Sequence, residues 1–288
     1  MPMAPVRDGQ LYYEETGAGE LIVLMPGLGH DHTYFSKVVP GLSSLGRVIV
    51  FDPRGLGSST ESASGYSVEG WAEDVVQLID HLGATRAHLV GSSLGVCVAL
   101  QMALDYPEHV ASLISVAGFA ELDRSLELNL RMRVKIIERL GLGDVLADHI
   151  AMWTLGRSFI ETEEGRAAVE RLFTSVQRNS PEKYLAFIKA ILRFGRTEPD
   201  QAGQARITQR LGEIRAPTRV IVGADDILTP VSISEPMARR ILGAELCVIP
   251  NCGHITFTER PAETVALIEG FLRKVIGSSS TNAEIERN

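Results

Sequence analysis

Gly91-Ser92-Ser93-Leu94-Gly95 sets a serine between two glycines in the spacing G-x-S-x-G. The motif directly follows the apolar run Ala87–Val90 and directly precedes the apolar stretch Leu94–Leu104. A strand, a tight turn and a buried helix in that order make a nucleophile elbow, which lifts the serine hydroxyl above the sheet edge. Val90 stands where a glycine would be needed for Ser92 to play that part, so Ser93 is the candidate nucleophile. A serine hydroxyl is weak at its own pKa and needs a base. His254 is the best placed of the seven histidines. It lies in Asn251-Cys252-Gly253-His254, after the apolar run Glu245–Ile249 and ahead of the last helical pattern. Open α/β sheets put their sites in loops at the carboxyl ends of parallel strands. Asp225 and Asp226 follow the run Arg219–Gly223 in the same way, and either can orient an imidazole and stabilise its cation. Spacing alone does not choose between them. The chain order serine, aspartate, histidine is the one that accompanies an elbow serine.

Acyl transfer through a serine also needs donors aimed at the oxyanion. The Leu94 N–H, at the start of a helix, is one candidate, helped by the helix dipole. The Leu28 N–H, in the loop Pro26-Gly27-Leu28-Gly29 after the run Leu21–Met25, is the other.

These residues need a scaffold, and the sequence pattern supplies one. Short apolar runs at Leu21–Met25, Val48–Phe51, His88–Gly91, Leu113–Ala117 and Arg219–Gly223 lack alternation, as expected for parallel strands buried on both faces. Leu11–Glu14 alternates better and fits an outer antiparallel strand; Glu245–Ile249 fits the last of the series. Between them, Ser67 can cap a helix carrying Trp71, Val75, Leu78, Ile79 and Leu82 on one face, with Gly83 as its stop. Pro261 can open a final helix that Gly277 ends. Strands alternating with helices predict an α/β, mostly parallel, doubly wound sheet. From about 123 to 215 no strand is legible. Helices are expected near Ser125–Leu140, Gly165–Val176 and Pro181–Phe194. The expected organisation is a core of 1–120 and 213–276, a helical cap insertion at 121–212 and a flexible tail at 277–288.

Composition narrows the classes of function. The chain has 288 residues and a net charge of −8, from 28 Lys+Arg against 36 Asp+Glu, with no basic cluster. That charge pattern lacks the footprint of a nucleic-acid binder. Three cysteines without a CxxC pair suggest neither a disulfide framework nor a zinc site. No apolar run is long enough for a membrane span, and no signal peptide is read at the N-terminus. A cytoplasmic monomer or homodimer is expected, with reduced thiols.

The motifs together resemble the α/β-hydrolase superfamily over nearly the whole chain. They are PGLG at 26–29, Asp52-Pro-Arg-Gly-Leu-Gly-Ser-Ser, GSSLG at 91–95, GADDILTP at 223–230 and NCGH at 251–254. In that family the acid stands three residues after the glycine and four before a proline, which the resemblance carries onto Asp226, framed by Gly223 and Pro230. The run Leu28-Gly29-x-Asp31, and a Trp followed by a short turn at Trp153 to Phe159, are similar to the enol-lactonases of the β-ketoadipate pathway. An aspartate nucleophile, as in epoxide hydrolases and haloalkane dehalogenases, is disfavoured by Ser93. The resemblance implies a serine esterase or lactonase acting on a small-molecule ester or lactone, with no metal and no organic cofactor. The same triad also serves carbon–carbon hydrolases of aromatic ring-fission products, and the fold also occurs as a ligand-binding protein without turnover. Gly27, His32, Tyr34, Met152, Trp153 and Phe159 are the candidates for the substrate pocket. Arg157 is either a partner for a substrate carboxylate or a solvated surface cation.

Overall fold

The computed structural model describes residues 2–194 and 207–285, with 278–285 by backbone alone. The strands are β1 (Met3–Val6), β2 (Gly9–Thr16), β3 (Leu21–Met25), β4 (Arg47–Phe51), β5 (Ala87–Ser92), β6 (Val110–Val116), β7 (Thr218–Gly223) and β8 (Glu245–Ile249). They form one 8-stranded sheet in the order β1-β2-β4-β3-β5-β6-β7-β8. β2 pairs antiparallel with β1 and β4, and every other neighbouring pair is parallel. The sheet is therefore α/β and mostly parallel, as expected. β2 is not the outer strand, because β1 lies outside it. β1 escaped the sequence reading because it has four residues and contains Pro5, which a short edge strand tolerates.

Unbroken apolar runs make sense once both faces of the sheet are covered. Successive side chains point to opposite faces. Leu21, Val23 and Met25 of β3 enter one core, while Ile22 and Leu24 enter the other. Ile49 and Phe51 of β4 part in the same way from Val48 and Val50.

Helices α1 (Val39–Leu42), α2 (Val68–His81) and α3 (Leu94–Asp105) come before β6. Ser67 caps α2 as predicted, accepting from Gly70 N, and Gly83 takes φ +72° just beyond it. α4 (Arg124–Leu140), α5 (Asp144–Thr154), α6 (Arg157–Ile160), α7 (Glu163–Gln177), α8 (Pro181–Phe194) and α9 (Ile207–Arg210) all fall between β6 and β7. α4 packs on α5 and α8, α5 on α7, and α8 reaches back to α2. The edge-on contact of Phe187 with Tyr66 and Trp71 makes that last junction, with ring centroids 4.6 and 5.4 Å apart. Residues 195–206, within the expected insertion, and 286–288, within the expected tail, lie outside the described residues.

α10 (Val231–Arg240) joins β7 to β8, and α11 (Thr256–Glu259) and α12 (Pro261–Ile285) follow. α12 runs through Gly277 rather than stopping there. Gly277 is not among the glycines at positive φ, so it costs the helix about 1 kcal/mol without turning the chain out of it. Among the described residues no helix is long and apolar enough to cross a membrane.

α3 must cross very close to the strands. A Cβ on Gly95 would lie 2.1 Å from the Met25 carbonyl oxygen, and one on Gly91 would lie 2.5 Å from the Gly95 carbonyl oxygen. Neither glycine has positive φ. They give the crossing room, while the unusual dihedral falls on the serine between them. Gly95→Ala is expected to destabilise the fold by about 1–3 kcal/mol through forced overpacking. A thermal melt checks this, with Tm falling by about 2–4 °C for each kcal/mol in a chain of this size.

Candidate active site

Ser93 sits between β5 and α3 at φ 51° and ψ −112°. Among the described residues it is one of three non-glycine residues at positive φ, with Ala117 and Asn251. Holding it there costs about 1–3 kcal/mol, and the packing of α3 against β3 and β5 sustains it. Its side chain makes no cap hydrogen bond to α3, so the hydroxyl is not spent on the helix that follows. Among the described residues neither the Leu28 nor the Leu94 N–H has a hydrogen-bond partner.

At the carboxyl end of β7, Asp226 is buried and Asp225 is exposed. All of the carboxylate's accepting capacity is used. Oδ1 accepts from the Leu228 and Thr229 N–H groups at 2.8 and 2.9 Å. Oδ2 lies 2.8 Å from Thr229 Oγ1 and 2.9 Å from His254 Nδ1. Burial works against the charge on Asp226. The imidazole of His254 and the hydrogen bonds from Thr229 outweigh it, so the carboxyl stays below its ordinary range. Thr229 Oγ1 is also 3.0 Å from His254 Nδ1 and 3.0 Å from the Ala117 carbonyl oxygen. A hydroxyl has one proton to donate. Given to Asp226 Oδ2, where it helps to lower that carboxyl's pKa, it leaves the Thr229 oxygen free to accept from Nδ1–H.

The loop carrying His254 is tied to the helices between β6 and β7. His254 N–H donates to the Thr154 carbonyl at 2.8 Å, and Ile255 N–H to the same oxygen at 3.3 Å. Glu259 Oε2 accepts from Gly253 N at 2.9 Å and from Gly156 N at 3.1 Å. Burial raises the Glu259 pKa, and those backbone donors pull against it.

Ser93 and His254 line one cavity of about 540 Å³, its open mouth included. The expected Gly27, Leu28 and Tyr34 line it too. Leu94 borders an adjoining apolar cavity behind the loop. Four pocket candidates are placed elsewhere. Met152 is 70% exposed. Trp153 and Phe159 are half-buried against the core and are not cavity-lining. His32 is held away by Nδ1 at 2.6 Å from Asp52 Oδ1. Arg157 is exposed. No sequence signal marks α5 or α6, so the types of Met152, Trp153 and Phe159 do not say which helix face they occupy, while His32 is a candidate only because it follows the Pro26–Gly29 loop. Asp31, His32 and Asp52 bring ligand atoms within 4.8 Å of one another. Their acceptors are already engaged, Asp52 by the His32 backbone N–H and by Ser58 N, Asp31 by Thr33.

The residues that sequence reasoning missed are Thr229, His30, Arg133 and Asn179. His30, Arg133 and Asn179 line the cavity. Arg133 carried a legible signal. Leu126, Asn129, Leu130, Arg133 and Ile137 form the buried stripe of α4, and a cation at its centre breaks an otherwise apolar face. His30 is desolvated, which lowers its pKa to about 4; Asp31 opposes this, and His254 and Arg133 add to it. The unfolded chain therefore takes up this proton first. The linked stability is complete above the ordinary value of 6.5 and is lost as pH falls toward about 4. His30→Gln is expected to remove up to about 2 kcal/mol of the acid-induced loss between pH 7 and pH 5. Urea unfolding of both proteins at the two pH values measures it.

A family model described as alpha/beta hydrolase fold matches residues 20–261. "Putative carbamate hydrolase RutD" of Variovorax paradoxus is 31% identical over 271 residues, covering 92% of this chain and 97% of that protein. A thermophilic esterase from Thermogutta terrifontis has a similar structure, with a TM-score of 0.82 at 28% identity over 95% of this chain and 98% of its own. Est816, titled as an N-acyl homoserine lactone degrading enzyme, has a TM-score of 0.79 at 26% identity, over 94% and 100%. With these likenesses over nearly its full length and a G-x-S-x-G serine on the crossing of β5 into α3, the chain belongs to the α/β-hydrolase fold family.

Proposed function

We propose that the protein is a serine hydrolase that cleaves a carboxylic ester or lactone of a small organic molecule. The observation that carries this reading is the pair of Asp226 Oδ2 and His254 Nδ1 at 2.9 Å, with the same imidazole lining the cavity that Ser93 lines. The esterase and the lactone-degrading enzyme among the similar structures support it.

In the proposed mechanism, His254 Nε2 takes the proton of Ser93 as Oγ attacks the carbonyl. The Leu28 and Leu94 N–H groups hold the oxyanion, with no reorganisation at the moment of reaction. Asp226 keeps Nδ1 protonated and balances the imidazolium, and its lowered pKa keeps it ionised to do so. The imidazolium then gives its proton to the departing alkoxide. A simple ester loses its alcohol, and a lactone opens with the alcohol still attached to the acyl group. Water, deprotonated by His254, attacks the acyl-enzyme and releases the acid and free Ser93. The helices between β6 and β7 serve as the cap, since Arg133, Ile150, Leu172, Val176 and Tyr184 close one side of the cavity.

Ser93→Ala is expected to abolish hydrolysis of short p-nitrophenyl esters and of a lactone panel, and to abolish labelling by a fluorophosphonate probe. Full retained activity in that variant overturns the reading. Asp226→Asn is expected to lower kcat by about 10²–10⁴, with a far smaller change in KM, because it removes the charge that supports the imidazolium. Steady-state kinetics on the best ester measure both constants. A carbamate in the same panel tests whether the acyl group bears nitrogen.

A further inference from the structure

Among the described residues two arginines are deeply buried, and they differ in one respect. Arg54, 6% exposed, pairs through Nε and Nη2 with Asp74 and reaches Asp8 with Nη1. Arg133, 4% exposed, has no ion-pair partner among the described residues. Its Nε and Nη2 are buried with no hydrogen bond at all. A guanidinium keeps its charge in a protein, so this is a desolvated cation with no carboxylate beside it and one whole edge of donors unsatisfied.

The cation lies in the wall of the cavity that Ser93 and His254 also line. No Asp or Glu lines that cavity among the described residues, so nothing there neutralises it. Two hydroxyl groups on the same wall suit an anion. The Tyr184 phenol adjoins the guanidinium. Ser175 shares the wall, whereas Asn179 spends both Nδ2 protons on the Gly29 and Ser175 carbonyls and offers a ligand no donor. The two unpartnered nitrogens are also the matching pair. Nε–H and Nη2–H run parallel along one edge of the guanidinium, which is the edge that takes both oxygens of a carboxylate.

We infer that Arg133 is a specificity-determining residue that binds a carboxylate on the substrate, so that the ester or lactone cleaved carries a free acid group away from its scissile carbonyl. This rests on the serine-hydrolase reading for the scissile end and on Arg133 alone for the acidic end. Arg157, exposed on α6, takes no part.

The test uses the matched pair mono-p-nitrophenyl adipate and its methyl-capped counterpart, which differ only in the distal charge. Wild type is expected to favour the acid by at least tenfold in kcat/KM, and Arg133→Met to reduce that preference at least tenfold, with Arg133→Lys between them. A preference near one in wild type, or one unchanged in Arg133→Met, overturns the inference. A binding arm needs no turnover. In Ser93→Ala, adipate or glutarate is expected to raise Tm while adipamide does not, and adding Arg133→Met abolishes the shift. Arg133→Met alone is expected to melt no lower than wild type, because removing an uncompensated buried charge relieves a cost. A merely structural arginine gives the opposite result. Should that variant not fold, the diacid-against-diamide contrast and the wild-type ester ratio decide the matter. Fluorophosphonate labelling of Ser93 without any anion preference or diacid shift overturns the carboxylate site and leaves the hydrolase reading standing. A diacid shift with neither labelling nor turnover does the reverse.

Discussion

The crossing of β5 into α3 is the constraint on which the rest of the molecule depends. It forces Ser93 to φ 51°, and the strain is held because α3, buried along Leu94–Leu104, cannot move away from the sheet. The two flanking glycines leave α3 no slack, since any Cβ on either would penetrate backbone. The hydroxyl makes no cap bond to α3, Ser93 lines the cavity with Leu28, and among the described residues neither the Leu28 nor the Leu94 N–H has a partner. Leu28, Asp226 and His254 stand on loops that leave β3, β7 and β8 at their carboxyl ends.

Charge in the site is distributed unevenly. Asp226 is buried and fully satisfied, with four groups on its two oxygens and a pKa below its ordinary value. The imidazole and the Thr229 donors therefore favour its ionised form against burial. Arg133 is as deeply buried and is unsatisfied on its inner edge. The difference in energy is large: a paired charge in the interior is tolerable, while an unpaired one costs several kcal/mol. A fold retains such a cost most readily where an arriving group offsets it, and the guanidinium stands in a wall of the cavity rather than against closed core.

Much of this was legible in the order of residues. The strands could be read because a sheet covered on both faces writes itself as unbroken β-branched runs, and β5, β7 and β8 were found within one residue of their ends, β6 within three. The proximity of His254 to Asp226 follows from two loops at adjacent strands, β7 and β8, which pair in parallel. Burial distinguishes the two aspartates where spacing could not, with Asp226 enclosed and Asp225 outside. The pocket wall was read poorly for a definable reason. α5 buries Leu146, Ala147, Ile150, Ala151 and Thr154, and Met152 lies off that stripe. Without α5 the apolar types could not be assigned a direction. Thr229 gave no signal at all, since its role comes from three partners distant in sequence or on the same turn.

The attachment of the His254 loop has a consequence for how this protein can be re-engineered. The backbone amides of 254 and 255 rest on a single carbonyl, that of Thr154, and the Glu259 carboxylate bolts Gly253 to Gly156. The helical layer is therefore also the floor beneath the imidazole. A chimera that borrows this layer from a relative inherits new selectivity only if the graft reproduces a carbonyl and an amide at those two positions. Otherwise the transplanted roof leaves the His254 loop without its footing, and a change made in the helical layer is felt as a loss of alignment at that imidazole.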